Sequence, residues 1–263
     1  MLTGRQVSAV HVVYMMHPLR QRLGILRSQL IYYGKPFNRR RLRKFYSQFV
    51  RAGDLCFDVG AHLGNRSDAW LGLGARVVAI EPQPACTAYM RRRLGRRKGF
   101  TLLEQAVGAQ PGTAALHVSQ LTPTVSTLAD SSWQQIIREK SSFEVRWDRQ
   151  IDVAVVTLDQ LIETYGLPAF CKIDVEDYEA EVLSGLSHAV PALSFEYFSY
   201  TPQQSLRCIE LIERLGSYEY NWSHGESQVM QCRVWLDASE MVAEIRAMSP
   251  GAPSGDIYAR LRH

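Results

Sequence analysis

Short runs of β-branched and aromatic residues alternate with amphipathic stretches along the chain after residue 51. Runs of this kind between turn residues are typical of buried strands, and apolar residues three and four positions apart indicate helices. Strands are predicted over Leu55–Val59, Arg76–Ile80, Phe100–Val107, Ile151–Val156, Ala169–Val175, Ala192–Tyr197, Tyr218–Trp222 and Val229–Leu236. Helices are predicted over Arg66–Leu73, Pro84–Leu94, Leu158–Tyr165, Tyr178–Leu186 and Pro202–Leu215. Because the two alternate, we expect a doubly wound α/β fold, a mostly parallel sheet with helices on both faces.

The first fifty residues differ from this alternation in both pattern and charge. Leu19, Leu23, Leu26 and Leu30 recur at helical spacing, which predicts a helix. Residues 1–51 hold eleven of the 30 basic residues and none of the 26 acidic ones, an asymmetry that the net charge of +4 conceals. We therefore expect a basic helical N-terminal extension over residues 1–50, followed by one domain over residues 51–263.

Two interpretations of the basic segment stay open. It is either a solvated helical face that packs on the main domain, or a surface that binds anionic lipid, a phosphorylated substrate or nucleic acid. A second basic run, Arg91–Lys98, lacks the interleaved aromatic residues of a nucleic-acid stacking platform. Nucleic acid is therefore the least favoured of these partners.

The connection over residues 110–150 is long for one link between elements. It contains a predicted short hairpin at Ala114–Ser119 and a polar helix around Trp133–Glu139. Long connections inside compact domains tend to be lids or binding elements. Trp133 and Trp147 either stack on a sugar ring or form the core of such a lid.

The composition, 46% hydrophobic and 21% charged, is that of an ordinary globular protein. Five scattered cysteines without a CxxC pair argue against a structural zinc site and indicate a reducing compartment. The apolar stretch Val7–Met16 is too short to span a bilayer and lacks a cleavage site. We expect a cytoplasmic protein, with peripheral membrane association left open by the basic segment.

The sequence around Gly60 carries the strongest chemical signal. A predicted strand ends at Asp58 and Val59 and runs into a turn with Gly60 and Gly64, where the backbone can approach a ligand closely. Glu81 ends the next strand 21 residues after Gly60. A carboxylate at that place can accept both hydroxyls of an adenosine ribose. The pair of signals predicts a cofactor that contains a nucleoside.

The spacing of the glycines distinguishes between two candidate cofactors, S-adenosylmethionine and NAD. A dinucleotide pyrophosphate needs GxGxxG, whereas this turn has GxxxG. Asp58 would repel a diphosphate but can hold a cationic amino group or order the turn. The turn therefore favours S-adenosylmethionine over NAD, and hence over an NAD-dependent oxidoreductase. The alternative is that Asp58 and Gly60 only build a tight structural turn.

Five blocks in order resemble the FkbM-type family of S-adenosylmethionine-dependent methyltransferases. The blocks are Asp58–Gly64, Glu81–Pro82, Thr157–Leu161, Lys172–Gly185 and Glu196. The resemblance implies a Rossmann-like class I methyltransferase with a seven-stranded, mostly parallel sheet whose last strand is antiparallel. By this resemblance the cofactor is held by Asp58, Gly60, His62, Gly64 and Asn65 in the turn, by Glu81 at the ribose, and by Gln105 and Ala106 at the adenine. Asp177 stands where the family usually has Gly, and as a helix N-cap it would have a local role.

Lys172, Asp174 and Glu176 alternate at the end of a predicted strand, where ligands of open α/β sheets bind. The catalytic residues are predicted to be Asp174 or Glu176 as the base and Lys172 as an orienting group, with His62 as a third candidate base. Alternatively, Asp174, Glu176 and Glu196 bind a divalent cation that acidifies the acceptor. The neighbouring residues are expected to have structural roles: Lys172 and Glu196 as a buried pair, and Glu179 and Glu181 as surface residues of the following helix.

Together these features predict O-methylation of a hydroxyl on a saccharide, glycolipid or natural product. The alternative from another class is a nucleic-acid- or membrane-surface-binding protein on the same scaffold, without methyl transfer. The two differ in whether the chain binds the methyl donor or only a polyanion.

Overall fold

The computed structural model describes residues 4–129, 131–140 and 145–262, and their side chains from Leu19 onward. Ten strands are present within these ranges. They are β1 Leu55–Val59, β2 Arg76–Ile80, β3 Phe100–Leu103, β4 Ala106–Val107, β5 Gly112–Val118, β6 Arg149–Val156, β7 Phe170–Ile173, β8 Ala192–Tyr197, β9 Tyr218–His224 and β10 Gly255–Leu261.

Seven of these strands form one sheet in the order β3-β2-β1-β7-β8-β10-β9. The first five are parallel to one another, and β10 runs antiparallel to both of its neighbours. The α/β fold class with a mostly parallel seven-stranded sheet is therefore confirmed, including the antiparallel strand. Parallel strands place their carboxyl ends at one sheet edge, which is where the site lies.

Nine helices and one 3₁₀ helix accompany the strands in the described ranges. They are α1 Gly4–Tyr33, α2 Asn38–Tyr46, α3 Asn65–Leu71, α4 Pro84–Leu94, the 3₁₀ helix Pro123–Val125, α5 Ser131–Lys140, α6 Leu158–Tyr165, α7 Glu179–Ser184, α8 Pro202–Glu213 and α9 Ala238–Ala247. Local sequence sets some of the boundaries. In α6 the Thr157 hydroxyl caps the Gln160 N–H while the Gln160 side chain returns to the Thr157 N–H, an exchange that satisfies two otherwise unpaired donors. Of the helices described, none has both the length and the apolar character needed to span a bilayer.

The two faces of the sheet bury separate cores, because successive side chains of a strand point to opposite sides. In β1, Phe57 joins the larger core with α6, α7 and α8, whereas Cys56 joins a second core. The second core also contains Leu42, Phe45 and Tyr46 of α2. The predicted extension over residues 1–50 thus contributes apolar side chains to the same core as the sheet.

Two strand predictions were wrong, each for a packing reason. Phe100–Val107 is divided: β3 ends the main sheet, while β4 pairs with β6 in a separate three-stranded sheet, β4-β6-β5. Val229–Leu236 is not a strand, and its backbone contacts with β9 are a bridge from Leu236 to Tyr220 and a hydrogen bond from the Gln231 N–H to the Trp222 carbonyl. Val229 and Val234 are exposed, and the partly buried Met230 and Trp235 pack on one core while Leu236 packs on the other. The segment therefore packs as an irregular cover and not as a sheet strand. Its place in the sheet is taken by β10, which has buried residues on both faces.

Candidate active site

The turn after β1 brings the ends of two strands into contact. Gly60 has a φ of +76°, and a Cβ built on it would lie 1.8 Å from the Asp174 carbonyl oxygen. No side chain fits at that distance, so glycine is required for the end of β1 to approach the segment after β7. Gly64, with a φ of +74°, ends the turn and starts α3.

Asp58 stabilises this turn through hydrogen bonds to the start of α3. Its Oδ2 atom accepts the Ser67 backbone N–H at 3.0 Å and the Ser67 hydroxyl at 2.5 Å. Burial raises the pKa of the Asp58 carboxyl, and the hydrogen bonds from Ser67 oppose that rise. The carboxylate therefore ties β1 to the first turn of α3, where an acidic group also suits the helix dipole.

Glu81 presents a fixed carboxylate at the end of β2. Its Oε2 atom accepts the His62 backbone N–H at 2.8 Å, and its Oε1 atom accepts the Gln83 N–H at 2.9 Å. Burial raises the pKa of this carboxyl to about 7. Each oxygen keeps a second acceptor site, so Glu81 can still receive two hydroxyl donors.

A cavity of about 640 Å³ opens above these residues, between the ends of β1, β2, β4 and β7. Of the residues predicted to hold the cofactor, Gly60, His62, Glu81, Gln105 and Ala106 line it. The other three, Asp58, Gly64 and Asn65, are not among the lining residues that the structure describes.

The charge of this cavity fits a cationic nucleoside. Its described lining contains the carboxyl groups of Glu81, Asp174 and Glu176, and no lysine or arginine. Such a wall favours the sulfonium and ammonium groups of S-adenosylmethionine and disfavours a diphosphate.

Two elements cover this cavity, and sequence reasoning missed one of them, Tyr32 of α1. The other, Pro123 and Thr124 of the 3₁₀ helix, belongs to the connection over residues 110–150 that was predicted as a lid or binding element. The Tyr32 ring meets the His62 ring edge-on at 5.3 Å. Burial lowers the pKa of His62 to about 4, so the imidazole is neutral, and neither ring nitrogen has a partner among the described residues.

Lys172 is fully buried behind the cavity, between two carboxylates. Its Nζ atom donates to Asp174 Oδ2 at 2.8 Å and to Asp256 Oδ1 at 3.0 Å. The predicted pair with Glu196 was wrong, because the antiparallel strand β10 lies beside β8 and sets Asp256 opposite Glu196. Burial opposes the charge on Lys172, but the two carboxylates hold its pKa well above the usual range.

Three acidic side chains meet beyond the end of β7. Asp174, Glu176 and Glu196 each place a carboxylate oxygen within 4.8 Å of the others. Burial opposes ionisation of Asp174, but the Lys172 ammonium keeps the pKa of Asp174 below its usual range. Burial and the charge on Asp174 raise the pKa of Glu176 well above normal, and burial and Glu176 do the same for Glu196. The cluster therefore combines one carboxyl group whose ionisation is favoured by Lys172 with two whose ionisation is opposed by burial and neighbouring negative charge.

The backbone of this segment is strained and is fixed by Glu179. Glu176 and Asp177 have φ values of +60° and +70°, in the left-handed region that favours glycine. The buried Glu179 carboxylate accepts the Val175 N–H at 2.9 Å, and burial raises its pKa to about 8. The prediction of Glu179 as a surface residue was wrong, whereas Glu181 is exposed as predicted.

Asp177 is not the N-cap of α7, so that prediction was also wrong. The N-cap residue is Tyr178, and it makes no side-chain cap. The Asp177 carboxylate accepts the Thr201 hydroxyl at 2.6 Å, and its carbonyl accepts from the Gln204 amide at 3.1 Å. The positive φ explains why glycine suits this position, and the bonds to α8 and its N-cap offset the strain of an aspartate there.

A second cleft, of about 1,030 Å³, adjoins the cavity. Its lining includes Glu176, which also lines the cavity, together with Glu196, Phe198 and Tyr200. Trp133 and Trp147 are not among its described lining residues. The Trp133 ring is buried and meets the Trp147 ring at 5.9 Å, which supports their role as the core of a lid.

Comparisons with solved structures return methyltransferases at low similarity. A precorrin-6y C5,15-methyltransferase from Geobacter metallireducens is 12% identical, with a TM-score of 0.45 over 84% of this chain and 86% of its own. A TehB-like S-adenosylmethionine-dependent methyltransferase from Corynebacterium glutamicum is 9% identical, with a TM-score of 0.43 over 90% and 94% of the two chains. Fibrillarin from Aeropyrum pernix, solved with S-adenosylmethionine, is 12% identical, with a TM-score of 0.40 over 80% and 68%.

Comparison by sequence gives a more definite result. No curated protein matches the chain. The family model described as the methyltransferase FkbM domain matches residues 58–239, more than two thirds of the chain. This range contains the glycine turn, Glu81 and the acidic segment after β7. The chain belongs to the FkbM family of S-adenosylmethionine-dependent methyltransferases.

Proposed function

We propose that the protein methylates a hydroxyl group on a saccharide, a glycolipid or a related natural product. The observation that carries the proposal is the position of Glu176, which lines both the cofactor cavity and the adjoining cleft. A carboxyl group shared by the two spaces can contact an acceptor at the point where it meets the methyl donor. Hydroxyl acceptors must lose a proton during transfer, and Glu176 is placed to receive it.

The cofactor is proposed to lie across the ends of β1, β2 and β4. Glu81 would accept the ribose hydroxyls, and Gln105 and Ala106 would contact the adenine, since all three line the cavity. Gly60 and His62 would face the methionine end. Asp58, Gly64 and Asn65 would act through the turn, because Asp58 fixes its shape and the other two start α3.

The catalytic roles follow from the acidic cluster. When bound, S-adenosylmethionine supplies a methyl group on a positively charged sulfur. Alignment of the acceptor behind that methyl contributes roughly 7–11 kcal/mol in favourable cases. Glu176 is the proposed base, because its raised pKa makes it the stronger proton acceptor once ionised. Lys172 is a positioning residue that keeps Asp174 charged, and Asp174 in turn raises the pKa of Glu176.

The cleft has the surface that a polyhydroxylated acceptor needs. Phe198 and Tyr200 offer aromatic faces, on which sugar rings can stack. Glu196, Ser199 and Ser254 offer hydrogen-bonding groups beside them. Few polar groups among apolar walls are typical of small-molecule sites.

A divalent cation remains the alternative route to an activated hydroxyl. The oxygens of Asp174, Glu176 and Glu196 lie close enough together to bind one, and a bound cation would lower the pKa of an acceptor hydroxyl. The two routes differ in whether a chelator stops the reaction.

The proposal is tested by transfer of radiolabelled methyl groups from S-adenosylmethionine to a panel of free glycans, glycolipids and matched amines. We expect label in base-stable ether products of hydroxyl acceptors, and much less with Glu176→Gln. Glu181→Gln is the matched control, because Glu181 is exposed five residues away. If only amine acceptors are labelled, the protein is an N-methyltransferase and the proposed O-methylation is wrong. If Glu176→Gln transfers as much label as the unaltered chain, Glu176 is not the base.

A further inference from the structure

From Leu19 to its C-terminal end, helix α1 packs on the protein with small and polar residues and leaves its leucines exposed. Gly24 and Ser28 are buried, and a Cβ on Gly24 would lie 2.1 Å from the Gln120 carbonyl oxygen. The leucine face, Leu19, Leu23, Leu26 and Leu30, is between 50% and 65% exposed. A surface helix ordinarily shows the reverse pattern, with its apolar stripe towards the core.

The leucine face is a continuous stripe on the outer side of a fixed helix. At 3.6 residues per turn, its four members lie within about 60° of one another. The helix cannot turn this stripe inward, because Tyr32 lines the cofactor cavity and the Tyr33 hydroxyl donates to the Leu63 carbonyl at 2.9 Å. An apolar stripe of this length on a protein surface marks an interaction site.

Positive charge borders the leucine face on both sides. Arg22 follows one edge and Arg27 the other, and both are exposed. At the C-terminal end the Arg93 guanidinium stacks on the Tyr33 ring at 4.1 Å from its centroid. The second basic run therefore lies beside the first, a relation that the sequence does not reveal.

This basic cluster has a surplus of positive charge. Arg39, Arg93 and Arg97 converge on Asp68, at 2.8, 3.8 and 3.1 Å from its carboxylate oxygens. One carboxylate cannot neutralise three guanidinium groups, and each of these arginines is about two-fifths to one-half exposed. The cluster thus adds a local positive field next to the leucine face.

The positive charge beside the leucine face indicates which kind of partner covers it. In a paired copy of this chain, the arginine borders of one leucine face would meet those of the other, and residues 1–51 contain no acidic residue to separate them. An anionic bilayer can bind both the leucine face and the arginines that border it, since leucines enter the acyl boundary while the guanidinium groups remain at the lipid phosphates. We propose that the leucine face of α1 docks in the interface of an anionic lipid bilayer.

Docking would hold the cofactor cavity close to the bilayer, because α1 forms part of its wall through Tyr32. Among the acceptors proposed above, this favours a glycolipid, and that part rests on the proposed function. The docking itself does not, because it depends on α1 and the basic cluster alone.

The test is co-sedimentation of the full chain with vesicles of phosphatidylcholine, with or without one third phosphatidylserine. We expect binding to the anionic vesicles that weakens with salt, and a loss of about tenfold or more for Leu23→Ser/Leu26→Ser. The matched control is Leu167→Ser/Val234→Ser, which changes residues that are 48% and 75% exposed away from α1. Circular dichroism and S-adenosylmethionine affinity confirm that each variant is folded.

Three outcomes would overturn the proposal. The first is failure of the unaltered chain to bind anionic vesicles, and the second is equal binding by the Leu23→Ser/Leu26→Ser variant. The third is a dimer in analytical ultracentrifugation that these substitutions convert to monomer, which would show that a second copy covers the stripe. Loss of methyl transfer to every acceptor, with vesicle binding intact, would refute the proposed function and leave the docking standing.

Discussion

At the scale of single residues, the chemistry depends on how burial and neighbouring charge divide protons among carboxyl groups. Asp174 is kept ionised by Lys172, at 2.8 Å, while Glu176 beside it has a raised pKa. The pKa values of two similar side chains are thus shifted in opposite directions, because one has a cation and the other an anion as its neighbour. The same division allows one carboxyl to act as a base while the other remains a fixed charge.

Glu176→Gln is expected to lower kcat by about 10²- to 10⁴-fold, the usual contribution of a general base, and to leave the affinity for S-adenosylmethionine nearly unchanged. Because the pKa of Glu176 is raised, its basic form appears only above the usual carboxyl range. Activity should therefore rise with pH through that raised pKa. The dependence of kcat on pH tests this prediction. If kcat of Glu176→Gln still rises with pH in the same way, the rise comes from the titration of another group.

Glu81→Ala is expected to weaken S-adenosylmethionine binding by about 10- to 100-fold, the value of a hydrogen bond to a charged group, about 1.5–3 kcal/mol. The pKa of Glu81 is about 7, and only the ionised carboxylate accepts from two hydroxyls. Affinity should therefore fall as the pH drops below about 7. Calorimetry at several pH values measures both effects. Glu104→Ala, an exposed carboxyl beyond β3, is the control and should change neither.

EDTA is expected to leave methyl transfer intact. Lys172 already offsets the charge of Asp174, and burial and neighbouring carboxyl groups raise the pKa of Glu176 and of Glu196, which opposes further negative charge in the cluster. The cluster therefore has no large negative charge that demands a cation. Initial rates before and after chelation decide the point. Activity that disappears with EDTA and returns with Mg²⁺ would instead support the cation route.

At the scale of elements, the site is assembled by the sheet order. Lys172 lies on β7, and its partner Asp256 lies on β10, two strands away in the sheet and 84 residues along the chain. Sequence spacing can predict the acids that follow β7, because they belong to one local run. It cannot predict Asp256, whose approach depends on which strand enters the sheet between β8 and β9.

Lys172→Met is expected to lower the free energy of unfolding by about 3–5 kcal/mol, since it leaves buried carboxylates without their cation. The loss should shrink in Lys172→Met/Asp256→Asn, which removes one of the two stranded charges. Chemical denaturation of the three chains measures the difference. Equal instability of the single and double variants would show that packing of the lysine stem, and not the ion pair with Asp256, makes the contribution.

The parts that sequence could predict are those with a local signal. The positions of Gly60, Glu81 and Asp174 at the cavity could be predicted because each directly follows a strand whose apolar run is visible in the chain. Asp177 was misassigned because its φ of +70° depends on bonds to Thr201 and Gln204. Tyr32 was missed because nothing in a basic helix indicates that it covers a cavity whose other lining residues lie between Val59 and Tyr178.

At the scale of the whole molecule, the N-terminal segment contains two parts with different roles. Its second part, α2, places Leu42, Phe45 and Tyr46 in the core beside Cys56 and Phe170 of the sheet. Its first part, α1, covers the cofactor cavity and exposes the leucine face. The division into residues 1–50 and 51–263 stays a prediction, and the packing of α2 makes residue 33, the end of α1, the sharper place to cut the chain.

Removal of residues 1–33 is therefore expected to leave a folded protein with weaker S-adenosylmethionine binding, whereas removal of residues 1–50 should abolish folding. The shorter deletion takes away Tyr32 from the cavity wall but keeps α2. The longer deletion removes four buried apolar side chains, Leu42, Phe45, Tyr46 and Val50, from the core, and truncating one large buried side chain already costs about 2–5 kcal/mol. Thermal unfolding and calorimetry of both truncated chains separate the two effects. If the chain that starts at residue 51 unfolds cooperatively near the full-length Tm, α2 is a dispensable cover and the boundary at residue 50 is the physical one.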